Sequence, residues 1–200
     1  SCEMLFEPTA KTSLAGFSPT RNHYILNELT NVSNHLFVLT HENGKWSRKV
    51  LPGAAPFSSV SAFAVDSLES DDYFVTGSNY LTPSNLSLGT INGKPAEKLK
   101  SGPSYFSGKG LAISQHEATS KDGTRIPYFQ VARKEVKRDG TNPTLLYGYG
   151  GFEVSLTPGY QATTGAAWLE QGGVYVVANI RGGGEFGPQW HQAALKDKRH

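Results

Sequence analysis

The sequence has almost no cysteine, no long apolar segment and no block of charge of one sign. Its single cysteine, Cys2, excludes an internal disulfide and any C-x-x-C metal or redox motif. No apolar run approaches the roughly 18 residues of a membrane-spanning helix, and the first residues contain no signal-peptide pattern. The 19 basic and 17 acidic residues are interspersed and sum to a net charge of +2. We therefore expect neither a membrane nor nucleic acid as a partner, while cytoplasm and periplasm are both compatible with the composition.

The composition is that of a folded globular chain. Hydrophobic residues make up 38% of the sequence and aromatic residues 11%, which is enough to build a core. The chain begins with Ser1, which is not an initiator methionine, and it stops in the charged segment KDKRH with no turn signal before it. We therefore expect a fragment of a longer protein.

The first half of the chain has the pattern of short β-strands separated by turns. Runs rich in Val, Ile, Leu, Phe and Tyr alternate with clusters of Gly, Pro, Asn, Asp and Ser. Strands are predicted over residues 23–29, 35–40, 60–66 and 72–78. This pattern predicts an antiparallel meander, as in a sandwich, a barrel or a propeller.

Two Asn-Gly pairs predict hairpins in this half. Asn43-Gly44 and Asn92-Gly93 suit type I′ turns, which need two residues that tolerate positive φ. Their spacing, close to fifty residues, suits four-stranded propeller blades, and a sandwich also fits the pattern. About two blades fit in this length, and two blades alone would expose sheet faces and edges. This half is therefore expected to be part of a larger ring.

From residue 110 the pattern becomes mixed. Strands are predicted over residues 111–120, 126–134, 144–152 and 173–180. Small residues together with Trp168 and Leu169 predict a helix over 162–173 that ends in glycine. A second helix is predicted to start near Pro188. A strand, a helix and a nearly continuous apolar strand predict a βαβ unit.

The segment VVANIRGGGEFGPQW contains Gly182, Gly184 and Gly187 in the spacing G-x-G-x-x-G, after a strand and before a helix. This is the context of a dinucleotide site, so an NAD-dependent oxidoreductase is one hypothesis. Glu185 argues against this hypothesis, because a carboxylate in the loop would repel the pyrophosphate of the dinucleotide. The alternative is structural: the glycines let the chain turn, and Glu185 pairs with Arg181 or caps the next turn.

The segment YGYGGF, residues 147–152, offers a different chemistry. Glycines on both sides of Tyr149 leave its backbone free and its ring able to lean over a cleft, where a phenol can donate a hydrogen bond to an oxyanion. The alternative is that Tyr147 and Tyr149 are ordinary wall residues of the fold.

Taken together, LLYGYGGFEVSLTP and GGVYVVANIRGGGEFGPQWHQAALK resemble the prolyl oligopeptidase family of serine peptidases. SNYLTPSNLSLG and ATSKDGTRIPYFQVARK, further upstream, are similar to the same family. The resemblance implies that residues 1–106 are the C-terminal blades of a β-propeller. It implies that residues 107–200 are the N-terminal part of an α/β-hydrolase domain.

The resemblance also assigns site residues. Tyr149 matches the tyrosine that donates to the oxyanion hole, and Phe152 matches the phenylalanine that lines the proline pocket. It implies no catalytic role for Asn179, Arg181 or Glu185. His191 is expected to be a packing or hydrogen-bonding residue, because the family's triad histidine lies near the end of the chain.

The nucleophile expected of such an enzyme is missing. No G-x-S-x-G motif occurs in the 200 residues, so no member of the Ser/Asp/His triad is assigned. The resemblance implies a serine endopeptidase that cleaves short peptides after proline, needs no cofactor or metal, and is a monomer at full length. These residues alone are expected to be inactive. A non-catalytic propeller-type binding protein is the further alternative.

Overall fold

The fold is nearly all β-sheet. A computed structural model describes residues 2–198, and in it twelve strands form three four-stranded sheets. The first sheet is an antiparallel meander of β1 (Thr12–Pro19), β2 (Tyr24–Thr30), β3 (Ser33–Glu42) and β4 (Lys45–Val50). The second is an antiparallel meander of β5 (Ser59–Ala64), β6 (Asp72–Ser78), β7 (Asn85–Thr90) and β8 (Glu97–Ser101). Two successive meanders of this kind match propeller blades.

The hairpin predictions had different outcomes. Asn43 and Gly44 have φ values of 51° and 73° and join β3 directly to β4, which confirms the tight turn. The type I′ turn predicted at Asn92-Gly93 is wrong. Only Asn92 has positive φ, and residues 91–96 form a longer connection between β7 and β8 in which the Gly93 N–H donates to the Thr90 carbonyl at 2.9 Å.

The two blades are joined by an apolar layer and a buried polar network. Aliphatic residues of both blades pack together, among them Ile25, Val38 and Val75. The Asn27 side chain donates to the Val60 carbonyl at 2.7 Å, and the Val60 N–H donates to Asn34 Oδ1 at 2.9 Å. Two side-chain amides thus take the place of a neighbouring strand for Val60 and fix one blade against the other.

The third sheet has a different construction. It contains β9 (Leu111–Thr119), β10 (Arg125–Arg133), β11 (Thr144–Gly148) and β12 (Val174–Ala178), in the spatial order β11-β12-β10-β9. β11 and β12 are parallel neighbours, as the βαβ prediction requires, and the other pairs are antiparallel.

The helices are short. α1 (Ala162–Thr164) continues as a π-helical segment, Gly165–Leu169, and Gly172 follows with φ 88°, so the predicted glycine end is confirmed. A Cβ at Gly165 would lie 2.1 Å from the Phe106 ring, so only glycine allows this close packing. α2 (Pro188–Gln192) begins at the predicted proline, and a 3₁₀ turn occupies Lys196–Lys198. None of the helices within residues 2–198 is long and apolar enough to cross a membrane.

The second core connects the blades to the third sheet. Phe129, Val131 and Val177 of the third sheet pack with Val32 and Tyr80 of the blades. With so little helix, the helical layers of an α/β-hydrolase are not evident in the described residues. The hydrolase assignment and the boundary between residues 106 and 107 therefore stay predictions.

Candidate active site

Two motifs that are distant in sequence meet at one end of the third sheet. The last paired residues of β11 and β12 are Gly148 and Ala178, and the two strands run parallel. Residues 149–156, here called the site loop, follow β11, and residues 179–187, here called the glycine segment, follow β12. In open α/β sheets, ligands bind beyond the carboxyl ends of parallel strands. The end of the sheet where the site loop and the glycine segment meet is therefore the candidate site.

Glycines let the site loop and the glycine segment touch through their backbones. Gly150 has φ 59°, and a Cβ there would lie 2.6 Å from the Arg181 carbonyl oxygen. Gly182 has φ 101°, and a Cβ there would lie 2.0 Å from the Gly150 carbonyl oxygen. A side chain at either position would strike backbone of the other segment, so glycine is required on both sides.

The next two glycines are also covered by the site loop. A Cβ at Gly184 would lie 2.3 Å from the Glu153 carbonyl oxygen, and one at Gly183 would lie 2.9 Å from that of Val154. A dinucleotide site needs its glycines open to the pyrophosphate and its amides turned toward it. Here carbonyl oxygens cover the glycines, so the packing does not suit the NAD hypothesis.

The two predicted site residues are carried by the site loop in a constrained conformation. Tyr149 is 43% exposed, and Phe152 is 87% exposed. Phe152 and Glu153 have φ values of 50° and 56°, which cost about 1–3 kcal/mol each in a residue with a side chain. The surrounding structure holds the loop in this shape and leaves both aromatic rings accessible.

Arg181 does not pair with Glu185, and this part of the structural prediction is wrong. Its guanidinium forms an ion pair with Asp122, in the turn between β9 and β10, and also donates to Ser120 Oγ at 3.2 Å. The hydrogen bond from Arg181 holds the pKa of Asp122 well below its usual range. Arg181 therefore ties the glycine segment to the β9–β10 turn at the same end of the sheet.

Glu185 is instead a buried hydrogen-bond acceptor. It is 1% exposed, and its Oε1 accepts from the Leu156 N–H at 2.9 Å and from Asn179 Nδ2 at 3.2 Å. It therefore binds the end of the site loop and does not cap the turn that follows it.

His191 has the hydrogen-bonding role expected for it. Its Nδ1 lies 2.7 Å from the Gly182 carbonyl oxygen. Because a carbonyl can only accept, Nδ1 carries the proton. Within residues 2–198, no three or more His, Cys, Asp or Glu side chains are grouped to hold a metal ion.

The chain is similar to known proteins in both sequence and fold. The pattern of the prolyl oligopeptidase family matches residues 160–200. An uncharacterized peptidase of Sinorhizobium fredii is 46% identical over 98% of this chain and 27% of its own length. The prolyl endopeptidase of Elizabethkingia meningoseptica is 39% identical over 78% of this chain and 21% of its own length. The structure of a post-proline cleaving enzyme from Rickettsia typhi has a TM-score of 0.85 and 35% identity, covering 98% of this chain and 28% of that one.

This chain belongs to the prolyl oligopeptidase family. It spans about a quarter of the length of the relatives it matches. The predicted family resemblance is therefore confirmed, and the family is one of peptidases.

In this member of the prolyl oligopeptidase family, a large cavity separates the blades from the site. It has a volume of about 840 Å³, and its walls include Asn27 and Thr76 of the blades and Ser155 and Gly184 of the site. A hydrogen bond of 2.6 Å, from Ser59 Oγ to Thr157 Oγ1, links the two sides beside it. Blade residues therefore line the approach to the glycine segment.

Sequence reasoning did not find the part that Asn179 and Glu185 play at the end of the site loop. One signal was present, because Asn179 directly follows the apolar strand β12, where a buried polar residue needs a partner. The partner is the backbone of Leu156, which no local pattern marks.

Proposed function

We propose that these residues belong to a serine endopeptidase that hydrolyses short peptides after proline. The observation that carries the proposal is the placement of Tyr149 and Phe152, both accessible on one constrained loop at the carboxyl end of a parallel strand pair. Two relatives, named a prolyl endopeptidase and a post-proline cleaving enzyme, support the substrate class.

We assign Tyr149 to the oxyanion hole. Its phenol donates a hydrogen bond to the carbonyl oxygen as that oxygen gains charge on attack by the serine. A donor fixed in place before the reaction contributes most in the transition state. The contact between Gly150 and Arg181 supports this role, because it fixes the backbone next to the tyrosine.

We assign Phe152 to the pocket for the proline ring. A flat aromatic wall suits a compact ring that offers no hydrogen-bond donor. Phe152 is 87% exposed in this part of the protein, so its ring is accessible for such a contact. This assignment favours proline over a basic residue before the cleaved bond.

We further propose that residues 107–200 begin an α/β-hydrolase domain and that residues 1–106 are the last blades of a propeller. The parallel β11–β12 pair with its helical crossover supports the first assignment. The two four-stranded meanders support the second. The blades would restrict access to short peptides, and the full-length enzyme would act as a monomer without a cofactor.

These 200 residues contain no G-x-S-x-G motif, and we propose that they do not hydrolyse peptides by themselves. The nucleophile, its base and the orienting aspartate would come from other parts of the full-length protein. In this chemistry Tyr149 and Phe152 bind and orient, while the triad moves the protons.

The test uses the full-length protein and a short chromogenic peptide with proline before the cleaved bond. Tyr149→Phe is expected to lower kcat by about 10- to 1,000-fold, since one oxyanion donor is lost. The matched control is Tyr147→Phe, because Tyr147 is also half-exposed and lies two residues earlier on β11. Unchanged kcat in Tyr149→Phe, or an equal loss in both variants, would sink the assignment.

A further inference from the structure

Glu185 and Asn179 form a buried pair that has no explanation in the peptidase chemistry. Both residues are at most 1% exposed, in the glycine segment directly after β12. Glu185 Oε2 has no hydrogen-bond partner among the described residues and lies against Gly183, where a Cβ would come within 2.1 Å of it. Burying a carboxyl group costs free energy unless its hydrogen bonds are replaced, so we expect this residue to perform a role in the structure.

The pair binds both polar groups of one backbone unit. The Leu156 N–H donates to Glu185 Oε1 at 2.9 Å, and the Leu156 carbonyl accepts from Asn179 Nδ2 at 2.8 Å. Asn179 Nδ2 also donates to Glu185 Oε1 at 3.2 Å, which joins the two side chains. Leu156 is therefore held as a strand neighbour would hold it, although no strand is present there.

Leu156 is the last residue of the site loop, so the pair fixes the loop at its second end. The first end is fixed at Gly148, which is paired with Ala178 of β12. Between these ends the backbone includes Phe152 and Glu153, both with positive φ. Backbone in this conformation persists only where the surrounding structure holds it; here the Glu153 N–H also donates to the Gly182 carbonyl at 3.3 Å.

We propose that Glu185 and Asn179 are positioning residues that hold the site loop in its constrained shape and so set the placement of Tyr149 and Phe152. The proposal rests on the peptidase function proposed above for this loop. Neither residue touches the substrate; both act through the backbone of Leu156.

The test compares Glu185→Met with Glu185→Gln in the full-length protein. Methionine fills a similar volume without an acceptor oxygen, whereas glutamine keeps one acceptor for the Leu156 N–H. In Glu185→Met we expect hydrogen–deuterium exchange in residues 149–156 to be about tenfold faster. We expect its kcat on a proline-containing peptide to be about 10- to 100-fold lower, with a smaller change in KM. Glu185→Gln should rescue both properties.

Glu135→Met is the matched control, because Glu135 is an exposed carboxyl residue in the loop after β10. It should change neither exchange in the site loop nor kcat. If Glu185→Met does not fold, Asn179→Leu replaces it, since leucine is of similar size and cannot donate to the Leu156 carbonyl.

Equal exchange and equal kcat in Glu185→Met and the parent protein would overturn the proposal. Lower thermal stability with unchanged kcat would also overturn it, because the pair would then serve the fold alone. If the parent protein does not cleave the peptide, the proposed function fails, and the exchange comparison decides by itself whether the pair holds the loop.

Discussion

The blades and the candidate site use glycine for opposite physical reasons. Gly44, in the hairpin of the first blade, has φ 73°, and a Cβ there would meet nothing within 4 Å. Gly182, in the glycine segment, also has positive φ, but its Cβ would lie 2.0 Å from a carbonyl oxygen of the site loop. The first glycine provides a turn, and the second provides room for another part of the chain.

The two regions also differ in how completely their buried polar side chains are hydrogen-bonded. Between the blades, Asn27 and Asn34 bond to each other at 2.8 Å and satisfy both backbone groups of Val60. In the site, Asn179 Oδ1 and Glu185 Oε2 are buried without a hydrogen-bond partner in the part of the chain that the structure describes. The blade contact is thus fully satisfied, whereas the site keeps polar groups at a cost in stability.

The largest expected effect comes from Gly182→Ala. Its Cβ would overlap the Gly150 carbonyl, so the site loop must move, and we expect a loss of about 3 kcal/mol or more in stability. Thermal unfolding and peptide hydrolysis by the full-length protein measure the effect. Gly159→Ala, at a site-side glycine with nothing within 4 Å, is the control and should change stability by less than about 0.5 kcal/mol. A tolerated Gly182→Ala would mean that the close approach is not required.

A smaller effect is expected for Gly44→Ala. The alanine has room but must adopt φ near 73°, which costs about 1–2 kcal/mol. Because the turn is remote from the site, kcat per folded molecule should be unchanged. A loss as large as that of Gly182→Ala would remove the distinction between turn and contact glycines.

The parts of the fold that depend on local sequence patterns could be predicted from the sequence. The strand predicted over 72–78 has the same bounds in the structure, because its alternating side chains record which face is buried. The turn at Asn43-Gly44 was also predicted correctly, because these two residues tolerate the positive φ values that it needs. β1 was not predicted, since a bulge between Leu14 and Gly16 breaks its alternation and half of its residues are exposed.

The contacts within the candidate site could not be predicted from local sequence patterns. Tyr149 and Phe152 were identified through a family resemblance, and their roles stay predictions. The Arg181–Asp122 pair depends on the antiparallel pairing of β10 with β12, and the capture of Leu156 by Glu185 depends on the parallel pairing of β11 with β12. A carboxyl residue among glycines has the same local pattern whether it faces a phosphate, an arginine or a backbone amide.

The smallest expected effect is at Tyr80, where the second blade meets the third sheet. Its ring packs against Phe129 and Tyr175, and its hydroxyl is buried with no hydrogen-bond partner among residues 2–198. Burial, together with nearby Tyr175, raises the pKa of Tyr80 far above its usual value near 10. The contact is therefore apolar in its packing but contains one unsatisfied polar group.

Tyr80→Phe removes that group and keeps the ring, so at pH 7 we expect stability to be unchanged or higher by up to about 1 kcal/mol. Above pH 10 the unfolded tyrosine loses its proton while the buried one keeps it, so the parent protein loses stability as pH rises. The variant lacks this loss, and its advantage in thermal unfolding should widen from pH 9 to pH 11. A clear loss of stability at pH 7 would instead mean that the hydroxyl has a partner, and that this contact resembles the satisfied network between the blades.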